Sequence, residues 1–466
     1  MPSKQTTHSD TGSRRTSTAH SAAYMLAGQG GVYLINFATT VVLSRRLGPS
    51  AYGLFLALIT LRDTAAAATS LMVNLAVLRY REDAVEVARV SIGILSALCA
   101  VFLAAEGVLF VYFYDLSTST LGPLLLLSVA HIVGLLYGPY SALLQIRDNY
   151  KSIALFSAVS TACASLAAIA ASFWHQGIAP LILRELVYSF LAVFLLLRKY
   201  GMLLHPSWKF EPMKKVLRLS AELWASRTAE VWIDRRDKVN VGALTSLDGM
   251  ARYNLAKYLA ELTQLLLNPL TTLIYDRFTD TAIAAERKKL ATDLFMFSLL
   301  IAGLAGAAVI HFAGEALVLL LYGEQWRGTG PILRAFIGYS MLYPLYILVK
   351  NVAYAENRAS IVVATQALYL GLILLVPAVS QAGKPLLSPA IHLGATAVSI
   401  GLLAAVTRSI RIPTAAAAIA ASLFVSFASA SLSHIWAGAV IFSALAYAAY
   451  KWGGLFRRLS GAARPA

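Results

Sequence analysis

Apolar runs of about 20 residues, long enough to cross roughly 30 Å of hydrocarbon, recur along the whole chain between short polar breaks. They predict helices near 22–44, 51–76, 88–113, 120–145, 152–174, 179–197, 219–243, 250–274, 291–312, 329–353, 359–379, 387–407, 412–432 and 436–454. The pattern describes an all-α polytopic membrane protein with about 14 transmembrane helices. Two neighbouring segments break it. Ser220–Val241 is flanked as a span must be, yet Arg227, Glu230, Asp234, Asp237 and Lys238 fall within an arc of about 100° on a helix. In the next segment Lys257, Glu261, Gln264 and Asn268 share an arc of roughly 60°. A charge at the bilayer centre costs about 2.5–3.5 kcal/mol even on lenient scales, so such stripes face protein or water. Two adjacent striped helices predict a polar cavity inside the bundle.

The 466 residues are 58% hydrophobic and only 13% charged, with a mean hydropathy of +0.67. That balance excludes a soluble protein. The formal charge of +16 suggests nucleic acid until its placement is counted. With the N-terminus cytoplasmic, the inner loops and tails hold 25 of the 39 Lys and Arg, the outer loops four and the spans ten. This asymmetry predicts both termini on the cytoplasmic side, in a bacterial inner membrane, and it removes nucleic acid as a partner. Cys99 and Cys163 lie inside apolar spans with no CxxC spacing and are read as inert core residues. The eight His residues have no ligand spacing, so no metal or cofactor is expected.

Internal repetition suggests how the spans are grouped. Gly122-Pro123 opens the fourth segment and Gly330-Pro331 the tenth, 208 residues on. The same shift carries Tyr114 onto Tyr322, Asn149 onto Asn357 and Ser152-Ile153 onto Ser360-Ile361. An even number of spans per repeat predicts two parallel six-helix lobes related by an axis along the membrane normal, plus two C-terminal helices. The expected organisation is a disordered cytoplasmic tail over 1–20, an N-lobe over 21–200 and a cytoplasmic linker over 201–218. A C-lobe over 219–409, two further spans over 410–456 and a cytoplasmic tail over 457–466 follow.

Three local patterns narrow the family. Ser44-Arg45-Arg46-Leu47-Gly48-Pro49-Ser50-Ala51-Tyr52-Gly53-Leu54-Phe55 resembles the loop between the first two spans of polysaccharide flippases. Leu321-Tyr322-Gly323-Glu324-Gln325-Trp326, with Gly330-Pro331-Ile332-Leu333-Arg334, is similar to their outer loop before span ten. Asp248-Gly249-Met250-Ala251-Arg252-Tyr253-Asn254 resembles the matching turn in the second half. The resemblance is to Wzx-type members of the multidrug/oligosaccharidyl-lipid/polysaccharide exporter superfamily. It implies a flippase that moves an isoprenoid-diphosphate-linked oligosaccharide, the repeat unit of an O-antigen, lipopolysaccharide or exopolysaccharide, from inner to outer leaflet. Transport would use alternating access between the lobes. The alternative is an ion-coupled small-molecule or drug antiporter of the same superfamily. Read physically, Gly48-Pro49 is first a pinned turn. Arg45 and Arg46 either meet lipid phosphate or anchor a helix end, and Trp174, Trp326 and Trp436 read as interface anchors.

A glycan diphosphate crossing the bilayer needs cations for its phosphates and polar groups for its sugars. The candidate substrate-binding residues are Arg62, Asn74, Arg227, Arg235, Lys238, Arg252, Lys257, Gln264 and Asn268. Embedded carboxylates that a proton or Na⁺ would neutralise are Asp63, Glu230, Asp234 and Glu261. The plain alternative is that these charges pair with one another to set helix register, as Arg184 with Glu185, and Lys257 with Glu261 or Glu230. The chain is not expected to be an enzyme: no P-loop, GxSxG or HExxH pattern is present, and the longest outer segment, near 312–328, is short. Expected partners are the lipid-linked oligosaccharide and membrane lipid, with a polysaccharide polymerase and glycosyltransferases acting on the same substrate.

Overall fold

In a computed structural model the described residues are 10–265 apart from 70, 72, 114–117, 148 and 202–203, and 285–461 apart from 357, 376–386 and 432–433. Every regular element described is helical, as hydrocarbon demands of a chain that must satisfy its own backbone polar groups. In chain order they are α1 (Asp10–Thr69), α2 (Val73–Arg79), α3 (Ala84–Phe113), α4 (Thr118–Leu135), α5 (Tyr137–Ile146), α6 (Tyr150–Ala171), α7 (Ala179–Tyr200) and α8 (Phe210–Leu244). There follow α9 (Leu247–Leu265), α10 (Ala285–Tyr322), α11 (Thr329–Ala335), α12 (Ile337–Ala355), α13 (Ala359–Leu374), α14 (Leu387–Val406), α15 (Ile412–Ser431) and α16 (His434–Gly461). Among the described residues eight helices are long and apolar enough to cross a membrane, nine if α11 and α12, bent by 49°, form one span. The remaining predicted segments are also helical over their described residues. They are the two arms of α1, the charged α8 and α9, and the 16-residue α13. Large apolar side chains such as Leu166, Leu320 and Phe427 stand on the outside, where lipid rather than water is the solvent. The chain is a multi-pass membrane protein.

Gly48 breaks α1 with φ 75° and ψ 173°. A side chain is strained at such a φ, and Pro49 restarts the helix as a first-turn residue. The expected outer loop is thus compressed into a one-residue break. At its other end α1 begins at Asp10, so half of the tail expected to be disordered is helical.

Packing divides the chain into two units, Met1–Leu43 with Ala68–Trp224, and Ser44–Ala67 with Ala225–Ala466. Residues 44–67, placed with the N-lobe by sequence, therefore pack in the second unit. In the first unit, Val77, Val87, Val90, Leu144 and Leu196 form a buried core. The segment after α7 is tied to it: the Leu204 N–H donates to the Tyr140 hydroxyl at 2.7 Å, and Ser207 Oγ donates to Glu86 at 2.6 Å. The expected linker is accordingly not a free strand of chain, and from Phe210 onward it is the first turns of α8, with Pro212 where a missing N–H costs nothing. Arg184 donates to Asn36 at 2.5 Å, a partner in another helix in addition to any use of its neighbour Glu185. Cys163 is exposed and Cys99 partly so, which corrects their reading as core residues: both lie on the apolar outside of their helices.

The second unit is built on α10, α12, α14, α15 and α16 around Leu304, Met341, Leu345, Val349, Ile400, Val425 and Ile441. Its helix junction at Glu356–Arg358 closes with the Arg358 N–H on the Ala353 carbonyl at 2.8 Å. The first unit closes its own junction with Asn149 N–H on Leu144 at 3.0 Å, one residue off the 208-residue shift. Within the second unit Gly53 lies so close to α9 that a Cβ there would sit 2.1 Å from the Leu247 carbonyl oxygen, so only glycine fits.

Candidate functional site

The two family-like loop motifs, at Ser44–Phe55 and Leu321–Arg334, meet each other. Trp326 Nε1 donates to the Ser44 carbonyl at 3.1 Å, and Gln325 Nε2 donates to the Ser44 and Arg45 carbonyls at 3.0 and 2.7 Å. Arg45 in turn donates to the Leu320 carbonyl at 2.6 Å. Trp326 is 1% exposed and packs edge-on to Tyr52 and Tyr322, so it is a buried clasp and not an interface anchor. Trp174 and Trp436 are exposed, as anchoring requires. Arg252 belongs to this clasp: its Nη2 lies 3.5 Å from the Gln325 carbonyl oxygen.

Below the clasp the second unit encloses a cavity of about 390 Å³. The polar stripe of α8 supplies Glu230, Asp234, Arg235 and Lys238, and α9 supplies Asn254, Lys257, Tyr258 and Glu261. Residues Phe55, Leu56 and Ile59 of α1 and the rings of Tyr339, Tyr343, Tyr346, Tyr369 and His392 complete it. All of these residues belong to the second unit.

Asp234 is the centre of the charges. Lys238 Nζ lies 2.9 Å from it, Lys257 Nζ 3.0 Å and Arg235 Nη1 3.4 Å, and Asp234 is the most exposed of the four at 37%. Arg235 also bonds Asp63 at 2.6 Å, and Asp63 is clasped by Arg62 at 2.7 Å, so both α1 candidates join the network through Arg235. Lys257, 4% exposed, reaches Asp237 at 3.3 Å. Asp237 is fully buried, accepts from the Tyr253 hydroxyl at 2.8 Å and from Ser388, and lies 2.9 Å from His392 Nε2. Lys257 therefore pairs with Asp234 and Asp237, not with Glu261 or Glu230: both partners lie on the facing helix, whereas Glu261 accepts from the Tyr339 hydroxyl at 3.0 Å. Glu230 accepts from Lys350 at 2.5 Å and from Gln366 at 2.8 Å, and Gln366 accepts from Ser226.

Of the predicted binding residues, Arg235, Lys238 and Lys257 line the cavity; of the predicted coupling carboxylates, Glu230, Asp234 and Glu261 do. Arg227 does not. Its side chain is 53% exposed and pairs with Glu230 at 3.3 Å, three residues on, because it sits at the edge of the stripe. Asn74 lies on α2 in the first unit, beside Gly138. The Gln264 side chain and all of Asn268 lie outside the described residues. Sequence reasoning missed the tyrosines of α12, although Tyr339, Tyr343 and Tyr346 repeat at the four- and three-residue spacing of one helix face. It also missed His392, which nothing in its neighbourhood distinguishes from a core residue.

Residues 42–331 match the profile of a family described as polysaccharide biosynthesis protein, from just before the Ser44–Phe55 motif into the Leu321–Arg334 motif. The chain belongs to that family. None of the curated proteins matches it. The fold is similar to that of a solved multidrug resistance MATE family transporter of the MOP superfamily in an inward-facing conformation. The two are 14% identical, with 88% of this chain and 99% of that one covered and a TM-score of 0.62. It is similar as well to the lipid II flippase MurJ in an inward closed conformation, at 13% identity, 95% and 98% coverage and a TM-score of 0.63. A MOP superfamily transporter from Pyrococcus furiosus, 14% identical over 89% and 96%, has a TM-score of 0.56. The chain thus joins a polysaccharide biosynthesis family to a fold similar to those of solved MATE transporters and of the flippase MurJ.

Proposed function

We propose that this member of the family is a flippase for an isoprenoid-diphosphate-linked oligosaccharide, moved from the inner to the outer leaflet by alternating access. The observation that carries the reading is the convergence of Arg235, Lys238 and Lys257 on the single carboxylate of Asp234, inside a cavity walled by tyrosines. Three cations held around one half-exposed anion mark a place where a stronger anion can sit. A diphosphate offers more acceptor oxygens than a carboxylate and binds Arg and Lys more strongly. On this reading Asp234 is a resident stand-in for the substrate's phosphate. It holds the cations together in the empty protein and gives them up when the diphosphate arrives.

A second reading, ion-coupled antiport of small molecules, draws on Glu230, Asp234 and Glu261 lining the same cavity. Glu261 is bonded by a neutral hydroxyl and not by a cation, which makes it the carboxylate a proton would neutralise at the least electrostatic cost. Proton coupling through Glu261 fits either cargo. Proteoliposomes holding the purified protein and a fluorescent isoprenyl-diphosphate oligosaccharide decide between them. Protein-dependent exposure of the glycan on the opposite leaflet is expected. Its absence, together with proton-driven uptake of a cationic dye, supports the antiporter.

The reading carries an orientation and a setting. The basic inner loops imply both termini in the cytoplasm of a bacterium and the outer clasp on the far side of its inner membrane. Reporter fusions after Arg218 and after Arg458 should read as cytoplasmic and one at Gly328 as external; an external signal at Arg218 overturns the assignment. A glycosyltransferase must supply such a substrate and a polymerase consume it, which makes both natural partners.

A further inference from the structure

The cavity holds two chemistries side by side. Beside the cation cluster of α8 and α9, Tyr339, Tyr343 and Tyr346 follow one another along a single face of α12. Their ring centroids are 5.0 and 6.0 Å apart and successive planes differ by 34° and 33°, so the rings form a run with related faces and not an edge-on packing cluster. Tyr339 and Tyr369 have their hydroxyls occupied, by Glu261 and by His392. Tyr343 differs: it is half-buried, lines the cavity, and its hydroxyl has no hydrogen-bond partner among the described residues. As a half-buried residue on the cavity wall, Tyr343 can turn its hydroxyl to something that enters.

The chemistry of that visitor is constrained from two sides. A cationic aromatic drug would have to compete for Glu230 and Asp234 with the lysines already paired to them, and Lys350 already stands 5.7 Å from the centroid of the Tyr346 ring. A pyranose fits better. The C–H bonds on one face of the sugar carry slight positive charge and match the negative face of a tyrosine ring, while its hydroxyls need the acceptors and donors that Tyr343, Glu261 and Asn254 offer. The cavity's volume of about 390 Å³ lies at the lower end of the roughly 300–1,000 Å³ of ligand pockets, enough for a diphosphate head and the sugar next to it but not for a whole repeat unit.

We infer that Tyr343, flanked by Tyr339 and Tyr346, is a saccharide subsite that reads the sugar directly attached to the diphosphate. The inference rests on the glycan-flippase reading and sharpens it. Selection falls on the first sugar, beside the phosphates, and the distal sugars and the lipid tail contribute little to choice.

The test uses the full-length protein in nanodiscs and four probes: farnesyl diphosphate alone, and farnesyl diphosphate carrying one glucose, galactose or N-acetylglucosamine. The native protein should bind at least one glycosylated probe about tenfold more tightly than the bare diphosphate. Tyr343→Ala should abolish that preference while leaving affinity for bare farnesyl diphosphate within about twofold. Tyr343→Phe should keep part of the preference, since the ring face remains and only the hydroxyl is lost. Preference retained in Tyr343→Ala overturns the subsite, as does an equal loss for all probes with a lowered unfolding temperature, which would mark a packing residue. Equal binding of bare and glycosylated probes by the native protein overturns the subsite alone. Failure of the native protein to bind any of the four overturns the glycan-flippase reading and the subsite with it.

Discussion

Lys257→Gln is expected to leave little folded protein in the membrane. Its ammonium, 4% exposed, is the cation nearest to Asp237, which is fully buried, and it also holds Asp234. Without it Asp237 keeps its charge with only Tyr253, Ser388 and His392 around it. Removing one partner of a buried pair costs about 3–5 kcal/mol, against a total stability of roughly 5–15 kcal/mol for a folded domain. The glutamine amide can donate a hydrogen bond but no charge. Size-exclusion of the detergent-solubilised protein should show a fall in the monodisperse fraction of several fold. The double variant Lys257→Gln with Asp237→Asn should recover most of it, because two neutral amides can bond where two ions did. Full recovery by Glu261→Gln instead would place the partner elsewhere, and a single variant with native yield and no transport would make Lys257 a substrate ligand before anything else.

Asp234→Asn should have the opposite character, with folded protein, tighter binding and slower transport. Asp234 is the charge around which Arg235, Lys238 and Lys257 gather. Arg235 retains Asp63 and Lys257 retains Asp237 when it is neutralised, so only Lys238 loses its sole ion-pair partner among the described residues. The substrate's phosphate no longer competes with a resident anion. Affinity for farnesyl diphosphate should rise about tenfold, equivalent to about 1.4 kcal/mol. Turnover should fall, since release on the far side then lacks the carboxylate that takes the cations back. Titration calorimetry and leaflet-exchange rates in proteoliposomes read the two effects separately. Unchanged or weaker binding would remove Asp234 from the role of stand-in anion.

Much of this was legible in the chain. The two striped helices are too charged to register as spans by composition, yet their arcs placed Asp234, Lys238, Lys257 and Glu261 on one cavity wall. Helical periodicity fixes which side chains share a face, so that inference needed no tertiary information. What failed needed it. Trp326 at a span end looks the same in sequence whether it faces headgroups or, as here, a neighbouring backbone carbonyl. Arg227 lies on the stripe but at its edge, where a few degrees of rotation decide between cavity and exterior. The partner of Lys257 is set by the facing helix, which beats the same-helix Glu261 four residues on. The tyrosines of α12 were overlooked because an aromatic stripe at helical spacing is what a packed core also produces; the unoccupied hydroxyl of Tyr343 separates the two, and it is a three-dimensional fact.

The clasp between the two motifs has an implication for how this protein tolerates change. Trp326 and Gln325 hold the start of the second unit by main-chain carbonyls, at Ser44 and Arg45, and not by side chains. Every residue type presents the same carbonyl, so these bonds do not depend on the side chains at 44 and 45. Those side chains are constrained separately, Ser44 by burial at 1% exposure and Arg45 by its own bond to the Leu320 carbonyl. The strongest constraint falls on the gripping pair and on Gly48, whose left-handed backbone sets the break and whose missing Cβ would stand 3.1 Å from Gln325 Oε1. Mutational scanning should therefore find an uneven loop, intolerant at 48 and 326, limited to small residues at the buried position 44 and milder at 45, where one side-chain bond is lost, within a motif that looks uniform when read as letters.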